Sequence, residues 1–339
     1  SKIRKTRKIM AVPNTTTFSL QDVVSTVNPT TDDLVDSFDD AIVGKFDSTY
    51  GPGDESNLLQ FRNYDAGGTL YITDANFNSI IATCLAQEPV TGLYNVTPFG
   101  TMPNWDVSRV TDFKYAFENK TTFNADISSW NTGNGTVFQG MFKGASAFNQ
   151  DIGSWDLGNA WNTGLMFFTA TSFNQDIESW DVSNVTYMRS MFYGATSFNQ
   201  PLSDWDVSSA TDMGSMFRLP NNATSAFNQD IDSWDVSSVT NMSSMFMNST
   251  SFNNDITGWN VSSVVYMGSM FKSAVSFNVA IGNWDVSNVI GMSEMFNGAT
   301  VFNKDLSGWC VTNITSEPTN FSTSSALTNA NKPVWGTCP

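Results

Sequence analysis

The sequence predicts a repeat solenoid of short β-strands and 3₁₀ turns with a 25-residue period, preceded by a small α-helical N-terminal module. The first observation behind this prediction is a tryptophan that recurs every 25 residues, with one interval of 29. The second is a pair of phenylalanines in each of the eight units that follow the first of these tryptophans. A unit this short buries its apolar residues only against its neighbours, so the units are expected to stack. The tryptophans are Trp105, Trp130, Trp155, Trp180, Trp205, Trp234, Trp259, Trp284 and Trp309.

Apolar residues also fall at intervals of three within each unit, a spacing that suits neither a long helix nor a long flat strand. We expect each residue type to stack on its counterpart in the next unit, so that the phenylalanines form two columns. The first column is Phe117, Phe142, Phe167, Phe192, Phe217, Phe246, Phe271 and Phe296. The second column is Phe123, Phe148, Phe173, Phe198, Phe227, Phe252, Phe277 and Phe302.

Amino-acid composition and net charge exclude several classes of protein and of binding partner. The 339 residues are 40% hydrophobic and 14% charged, with a net charge of −16. This apolar content excludes intrinsic disorder, and the negative charge repels phosphate backbones, so nucleic acid is not expected as a partner. No apolar run approaches the roughly 18 residues of a membrane span, so none is expected. The first residues show no secretory signal peptide.

Histidine is absent from the chain. This absence removes the commonest general base, every Ser-His-Asp or Cys-His arrangement and all histidine-ligated metal sites. The sequence therefore predicts a protein that is not an enzyme, with no catalytic residues, no cofactor and no metal.

Aspartates recur at two places in most units, directly after the tryptophan and three residues after the second phenylalanine. Oxygen-rich turns suit Ca²⁺, but capping of the turns by the aspartate side chains is the favoured interpretation. Paired carboxylates could also serve glycoside cleavage. A catalytic pair should interrupt the repeat pattern, however, and these aspartates are the pattern.

An asparagine follows the second phenylalanine in every unit, where an apolar column would predict an apolar residue. We interpret it as an inward ladder, in which each amide bonds backbone groups of the adjacent unit that would otherwise be buried without a partner. The asparagines are Asn124, Asn149, Asn174, Asn199, Asn228, Asn253, Asn278 and Asn303.

Variable positions on the predicted strand face are the candidates for ligand binding. They occupy the seventh or ninth place after the tryptophan, where the repeat does not fix the residue type. The alternative explanation for their variability is random sequence drift on a face that is exposed to solvent. The candidates are Asp112, Lys114, Asn162, Tyr187, Arg189, Asp212, Asn241 and Tyr266.

The units, of which residues 179–200 (SWDVSNVTYMRSMFYGATSFNQ) are an example, resemble the BspA-like leucine-rich repeat family, also known as a Mycoplasma-type lipoprotein repeat. The resemblance covers residues 70–339. It implies a leucine-rich-repeat-like solenoid over residues 101–309, between an N-terminal capping region at residues 69–100 and a C-terminal cap at residues 310–339. Departures from the repeat occur early, at Phe113, Phe138, Trp161 and Thr163.

The segment 73–77 is similar to the helix that opens such arrays. Thr73 is the expected N-cap of this helix. Phe77, Ile80, Ile81 and Leu85 form one apolar stripe that would cover the first unit.

The three cysteines are Cys84, Cys310 and Cys338. A bridge between Cys310 and Cys338 would close a loop of about 29 residues at the terminal unit and stabilise the fold by ~3 kcal/mol in the chain-entropy model. Two buried free thiols are the alternative. Cys84 is expected to be a small buried residue, because no histidine exists to activate its thiol.

Residues 1–66 are predicted to form a small helical module with little core of its own. Its segments 16–23 and 58–64 resemble structural proteins of Bacteroidetes phages, which implies attachment to other virion proteins. A basic tail precedes the module, and we expect it to lie in an acidic groove of a protein partner. Contact with nucleic acid inside a particle and a solvated tail are the alternatives. The tail residues are Lys2, Arg4, Lys5, Arg7 and Lys8.

These observations lead to one functional hypothesis and two alternatives. The hypothesis is a virion structural and receptor-binding protein on the virion surface, present as a homo-oligomer or in many copies. It would bind other virion proteins through residues 1–66 and a host surface glycan or protein through the solenoid. The alternatives are an adhesin on a bacterial cell surface and, more remotely, a polysaccharide-degrading enzyme.

Overall fold

The computed structural model describes residues 71–224 and 226–339 of the chain. The chain divides into two units, Ser1–Leu70 and Tyr71–Pro339, and the described residues all belong to the second. The predictions for residues 1–66, including the helical module and the basic tail at residues 2–8, lie outside the described residues.

Regular secondary structure is confined to the two ends of the described chain. An α-helix, α1, spans Phe77–Gln87, and 3₁₀ helices span Met102–Asn104 and Asn329–Asn331. Among the residues described, no helix is long and apolar enough to cross a membrane.

The predicted apolar stripe of α1 is confirmed, because Phe77, Ile80, Ile81 and Leu85 are all buried. Cys84 lies on the same side of the helix and is fully buried, as expected, with a free thiol. That thiol faces the carbonyl oxygens of Gly92 and Tyr94, at 3.4 and 3.7 Å from Sγ. Burial raises the pKa of the Cys84 thiol above its ordinary value, so the thiol stays protonated at neutral pH.

The predicted N-cap of α1 was wrong, because the N-cap is Asn76 rather than Thr73. The carbonyl of Thr73 accepts the N–H groups of Asn76 and Phe77 at 3.0 and 2.9 Å. Oδ1 of Asn76 in turn accepts the N–H of Thr73 at 2.8 Å. These bonds close a turn before the helix, which therefore begins three residues later than the sequence indicated.

The repeats contain isolated bridges and turns in place of the expected short strands and 3₁₀ turns. From Trp105 to Trp259, the seventh residue after each column tryptophan forms a parallel β-bridge with its counterpart in the next repeat. From there, N–H groups of alternate residues donate to carbonyls of the next repeat. In the first repeat these bonds join Phe113 to Val137, Tyr115 to Gln139, Phe117 to Met141 and Asn119 to Lys143, at 2.7–3.0 Å.

This alternation depends on a left-handed backbone conformation at the tenth residue after the tryptophan, where φ lies between 56° and 62° in all eight repeats. Only one of these residues is glycine, although the left-handed region costs other residues roughly 1–2 kcal/mol. The bonds to the next repeat offset that cost. The residues are Tyr115, Gly140, Leu165, Ser190, Ser215, Ser244, Ser269 and Glu294.

The aromatic side chains form stacked, buried columns. Ring centroids of Trp130 and Trp155 lie 6.3 Å apart at 2° between planes, and those of Phe142 and Phe167 lie 5.6 Å apart at 6°. Within one repeat the two phenylalanines are closer, at 3.9 Å between Phe142 and Phe148. Each such ring gains roughly 1.5–3 kcal/mol from burial, and that gain requires a repeat on each side.

Each column tryptophan after Trp105 also makes a hydrogen bond to the carbonyl three residues before the preceding column tryptophan. The indole N–H of Trp155 donates to the carbonyl of Ile127 at 3.1 Å, and the equivalent bond from Trp234 to Leu202 spans the longer, 29-residue interval at 2.9 Å. A buried indole N–H needs such a partner. The tryptophan is therefore fixed by both its ring and its N–H.

The asparagine ladder exists, but its inward orientation was wrong. Each side-chain oxygen accepts the backbone N–H of the next asparagine, as in the 2.9 Å bond from Asn199 N–H to Asn174 Oδ1. The side chains are half-buried or exposed, because the amide points along the stack at its surface rather than into the core. Each exposed bond of this kind contributes about 1 kcal/mol at most.

Edge-on aromatic rings close both ends of the columns. Phe77 of α1 meets Phe113 at 5.3 Å and 82°, and Phe321 meets Phe296 at 5.4 Å and 88°. A disulfide joins Cys310 to Cys338 at the C-terminal end.

At the first repeat, the carboxylate of Asp74 accepts the N–H groups of Thr111 and Asp112 at 2.7 and 3.0 Å. Burial tends to raise the pKa of Asp74, but these bonds and the Thr111 hydroxyl outweigh it and hold the pKa below its ordinary value. In later repeats the same two N–H groups donate to a carbonyl of the preceding repeat, as those of Thr136 and Val137 do to Thr111. The carboxylate of Asp74 takes the role of that carbonyl at the first repeat, where the N–H groups would otherwise have no partner.

Thr163 is an uncompensated polar residue in the core. It is fully buried where most repeats have methionine, and its Oγ1 has no hydrogen-bond partner among the described residues. An unsatisfied buried hydroxyl costs about 1–3 kcal/mol.

We expect Thr163→Val to raise the free energy of unfolding by about 1 kcal/mol, because the substitution removes that hydroxyl at nearly constant volume. Urea denaturation of the full chain measures this change. The matched control is Thr132→Val, because Thr132 is equally buried but its hydroxyl bonds both the carbonyl and the N–H of Asp156. The control variant should be destabilised, and a loss of stability in Thr163→Val as well would contradict the assignment.

Candidate binding surface

The candidate residues at the seventh position form one continuous row. Successive parallel bridges join each of them to the next, so they lie side by side along the array. Lys114 and Arg189 lie two residues beyond their row members along the chain. We call this surface the bridge row. Its members are Asp112, Val137, Asn162, Tyr187, Asp212, Asn241, Tyr266 and Gly291.

Four short polar members of the bridge row cap their own turns. Side-chain oxygens of Asp112, Asn162, Asp212 and Asn241 accept the N–H of the residue two further on, at 2.8–3.0 Å. Asn162 is only 7% exposed. The structure thus gives Asn162 a place under the surface, where its amide is not offered to a large ligand.

Two tyrosine rings contact glycines of neighbouring repeats. A methyl group added to Gly164 would lie 2.6 Å from Cε1 of Tyr187, and one added to Gly140 would overlap the ring of Tyr115. Burial raises the pKa of the Tyr187 hydroxyl above its ordinary value, and the Asp212 carboxylate adds to the effect. The rings are therefore held against the backbone rather than free in solvent.

Arg189 is held in the same way over a third glycine. A methyl group on Gly214 would lie 2.7 Å from its Nη1. That nitrogen is 3.6 Å from Oδ2 of Asp212, and the side chains of the pair are 43% and 22% exposed. Oδ1 of Asp212 accepts an N–H of the Asn241 amide at 3.1 Å. A charged and amide-bearing edge thus adjoins the Tyr187 ring.

Tyr115 has its own basic neighbour on the other side. Nζ of Lys143 lies 5.6 Å from the centre of the Tyr115 ring and 2.7 Å from a carboxylate oxygen of Glu118. The hydrogen bond to Glu118 raises the pKa of Lys143. The charge of this lysine is therefore neutralised locally.

Large exposed apolar residues replace threonine at the sixth position, beside the bridge row. In most repeats the threonine hydroxyl donates to the preceding repeat, as from Thr211 to the carbonyl of Thr186 at 3.1 Å. Trp161 and Ile290 interrupt this pattern and are 49% and 55% exposed, and Tyr266 in the row is 50% exposed. At these two places an exposed apolar side chain thus stands where most repeats have a threonine.

Sequence reasoning missed Tyr115 and Ile290 and noted Trp161 only as a departure from the repeat. Trp161 and Ile290 could have been found from the otherwise regular threonine at the sixth position. Nothing in the sequence indicates Tyr115, because its location depends on the left-handed backbone at the tenth position.

The recurrent aspartates cap turns, as the favoured interpretation predicted. Oδ1 of Asp181 accepts the N–H of Ser183 at 3.0 Å and its hydroxyl at 2.6 Å. These bonds, the one from the serine hydroxyl foremost, hold the pKa of Asp181 below its ordinary value, and the same holds for Asp235 and Asp285. Within residues 71–224 and 226–339, no three acidic or cysteine side chains are grouped so as to hold a metal ion.

Because the folded-state pKa of these aspartates lies below the ordinary aspartate pKa of 3.8, their contribution to stability is present above that pH and is lost as the pH falls through the folded-state pKa. We expect the melting temperature to drop steadily below pH ~4. The combined change Asp181→Asn, Asp235→Asn and Asp285→Asn should flatten this drop. Asparagine keeps the cap without titrating, as Asn131 and Asn260 do at 3.2 Å. An unchanged acid profile in the triple variant, measured by calorimetry, would rule out the linkage.

Comparison with known proteins identifies the repeats. A family model described as "Mycoplasma protein of unknown function, DUF285" matches residues 93–183, 159–224 and 219–335. No curated protein and no solved structure matches the chain. The family match agrees with the resemblance carried by the repeats, and it extends over well more than half of the chain. The chain therefore belongs to the DUF285 family of Mycoplasma-type repeat proteins.

Proposed function

We propose that this chain is a non-enzymatic recognition protein displayed on a surface, and that its repeats form a leucine-rich-repeat-like solenoid whose bridge row contacts the partner. The observation that carries the proposal is that exposed aromatic and apolar side chains interrupt the polar residues in and beside this row. Trp161, Tyr266 and Ile290 are each about half exposed, where a regular, solvated repeat would have small polar residues.

We propose that the chain is not an enzyme because its recurrent aspartates all have the same structural role. The aspartates of the repeat are engaged in capping backbone N–H groups, and they do so identically from repeat to repeat. A general acid and base need two carboxylates in different environments. Repetition of one environment supports a structural role.

A bacterial cell surface is the location that we favour. Repeats of this type are typical of bacterial surface proteins, and the Cys310–Cys338 disulfide suits an oxidising compartment outside the cytoplasm. An adhesin of this kind would act through many weak contacts multiplied by copy number.

The virion surface remains the second candidate. It is supported by the likeness of segments 16–23 and 58–64 to phage structural proteins, in which residues 1–66 would anchor the chain to other virion proteins. The place where the chain is recovered distinguishes the adhesin from the virion protein. Recovery in the cell envelope, with cleavage by protease added to intact cells, supports the adhesin. Co-purification with capsid and tail proteins in banded particles supports the virion protein, and recovery only in the cytosol would contradict both.

The binding surface is tested with the full chain carrying a fluorescent label, applied to a panel of intact bacterial and epithelial cells and measured by flow cytometry. We expect saturable binding to at least one cell type. A row variant combining Trp161→Thr, Tyr187→Ala, Tyr266→Ala and Ile290→Thr should lose at least tenfold in affinity.

The control variant combines Val275→Thr and Val301→Thr. These residues are 37% and 46% exposed and lie outside the bridge row. It should bind like the parent chain. Equal binding by the row variant would place the contact elsewhere, and release of reducing sugar from a polysaccharide would contradict the non-enzymatic assignment.

A further inference from the structure

We propose that Tyr115, Tyr187 and Arg189 form a platform that binds a neutral glycan by stacking its sugar rings. This inference rests on the proposed recognition function and names the ligand class of one part of that surface, where Tyr187 is a member of the bridge row and Tyr115 and Arg189 lie beside it. We call these three residues the tyrosine platform.

The tyrosine platform is held in place before any ligand arrives. Each of its three side chains lies over a glycine of an adjacent repeat, at Gly140, Gly164 and Gly214. Side chains fixed in this way lose little conformational entropy on binding. The two tyrosine rings and the guanidinium group therefore offer ordered contact area rather than mobile side chains.

Flat aromatic faces suit the C–H faces of a pyranose ring, because the π face is electronegative and the ring hydrogens of a sugar carry partial positive charge. Trp161 adds a third ring in the repeat next to Tyr187, since its backbone carbonyl accepts the N–H of Tyr187 at 3.3 Å. The surface is open, which suits a chain of sugars lying along the row better than an enclosed small molecule.

Hydroxyl groups of a sugar would find donors and acceptors at the edge of the platform. Arg189 has five N–H donors, and its one ion pair among the described residues is the 3.6 Å contact to Asp212, so N–H donors of its guanidinium group remain for a ligand. The Asp212 carboxylate and the Asn241 amide lie next to it, joined by a 3.1 Å bond. An arrangement of alternating donors and acceptors beside an aromatic face matches a polyhydroxylated ligand.

Charge favours a neutral glycan over an acidic one. Arg189 and Lys143 each face a carboxylate, Arg189 facing Asp212 and Lys143 facing Glu118. The chain as a whole carries a net charge of −16, which repels polyanions at long range. Lys114, which is exposed and directly precedes Tyr115 in the chain, adds one positive charge, which is small beside this net negative charge.

Affinity electrophoresis of the full chain in gels containing laminarin, mannan or dextran tests the proposal, with heparin as the acidic comparison. We expect retardation by a neutral polysaccharide. Iodide quenching supplies a second readout, because Trp161 is 49% exposed whereas the column tryptophans are 3% exposed or less. Bound glycan should protect this fluorescence, and Trp161→Thr should abolish the protection.

Variants locate the site. The double variant Tyr115→Ala and Tyr187→Ala should weaken binding at least tenfold with little change in melting temperature. Tyr187→Phe keeps the ring and should retain binding. Gly164→Ala keeps Tyr187 but displaces its ring, and should weaken binding. The matched control is Tyr94→Ala, because Tyr94 is 42% exposed and lies away from the row.

Treatment of the cells in the flow-cytometry assay, before the labelled chain is added, separates this inference from the proposed function. Binding to cells that is lost after periodate oxidation of surface sugars, and lost in the double tyrosine variant, supports the platform even if the three polysaccharides do not bind. Binding that survives periodate but not protease overturns the glycan inference and leaves recognition standing, as does binding to heparin alone. Absence of binding to every cell type would count against the recognition function itself.

Discussion

Contact between like side chains of successive repeats is the interaction on which the whole array depends. A tryptophan meets a tryptophan and a phenylalanine meets a phenylalanine, with ring planes within a few degrees of parallel. A single repeat is too short to bury its apolar side chains by itself, so it buries them against the repeats on either side. The edge-on rings of Phe77 and Phe321 end this sharing at the two termini.

Polar side chains also form their hydrogen bonds with adjacent repeats. The indole N–H of Trp155 and the amide oxygen of Asn174 both bond backbone groups of an adjacent repeat. Side chains at the bridge row depart from this regularity, because Tyr187 and Arg189 fill space left by glycines instead of repeating a residue type. The surface that we propose for contact is therefore the place where the array is least regular.

Much of the core could be predicted from the sequence, because burial follows from periodic residue type alone. The aromatic columns, the apolar stripe of α1 and the capping aspartates all follow from spacing and side-chain chemistry. The inward orientation assigned to Asn199 failed because residue type does not tell along which direction an amide bonds. Tyr115 was missed because its ring is directed by a left-handed backbone that seven of eight repeats form without glycine. Such conformations are fixed by bonds between repeats, which a single repeat's sequence does not specify.

Hydrogen–deuterium exchange of the full chain with Trp205→Ala tests the dependence of each repeat on its neighbours most directly. Trp205 is 3% exposed and stacks on Trp180 and Trp234 at 6.4 Å on either side. The account predicts faster amide exchange in the mutated repeat and in the repeats before and after it, with the effect fading along the array. Faster exchange restricted to the mutated repeat, with both neighbours fully protected, would contradict it.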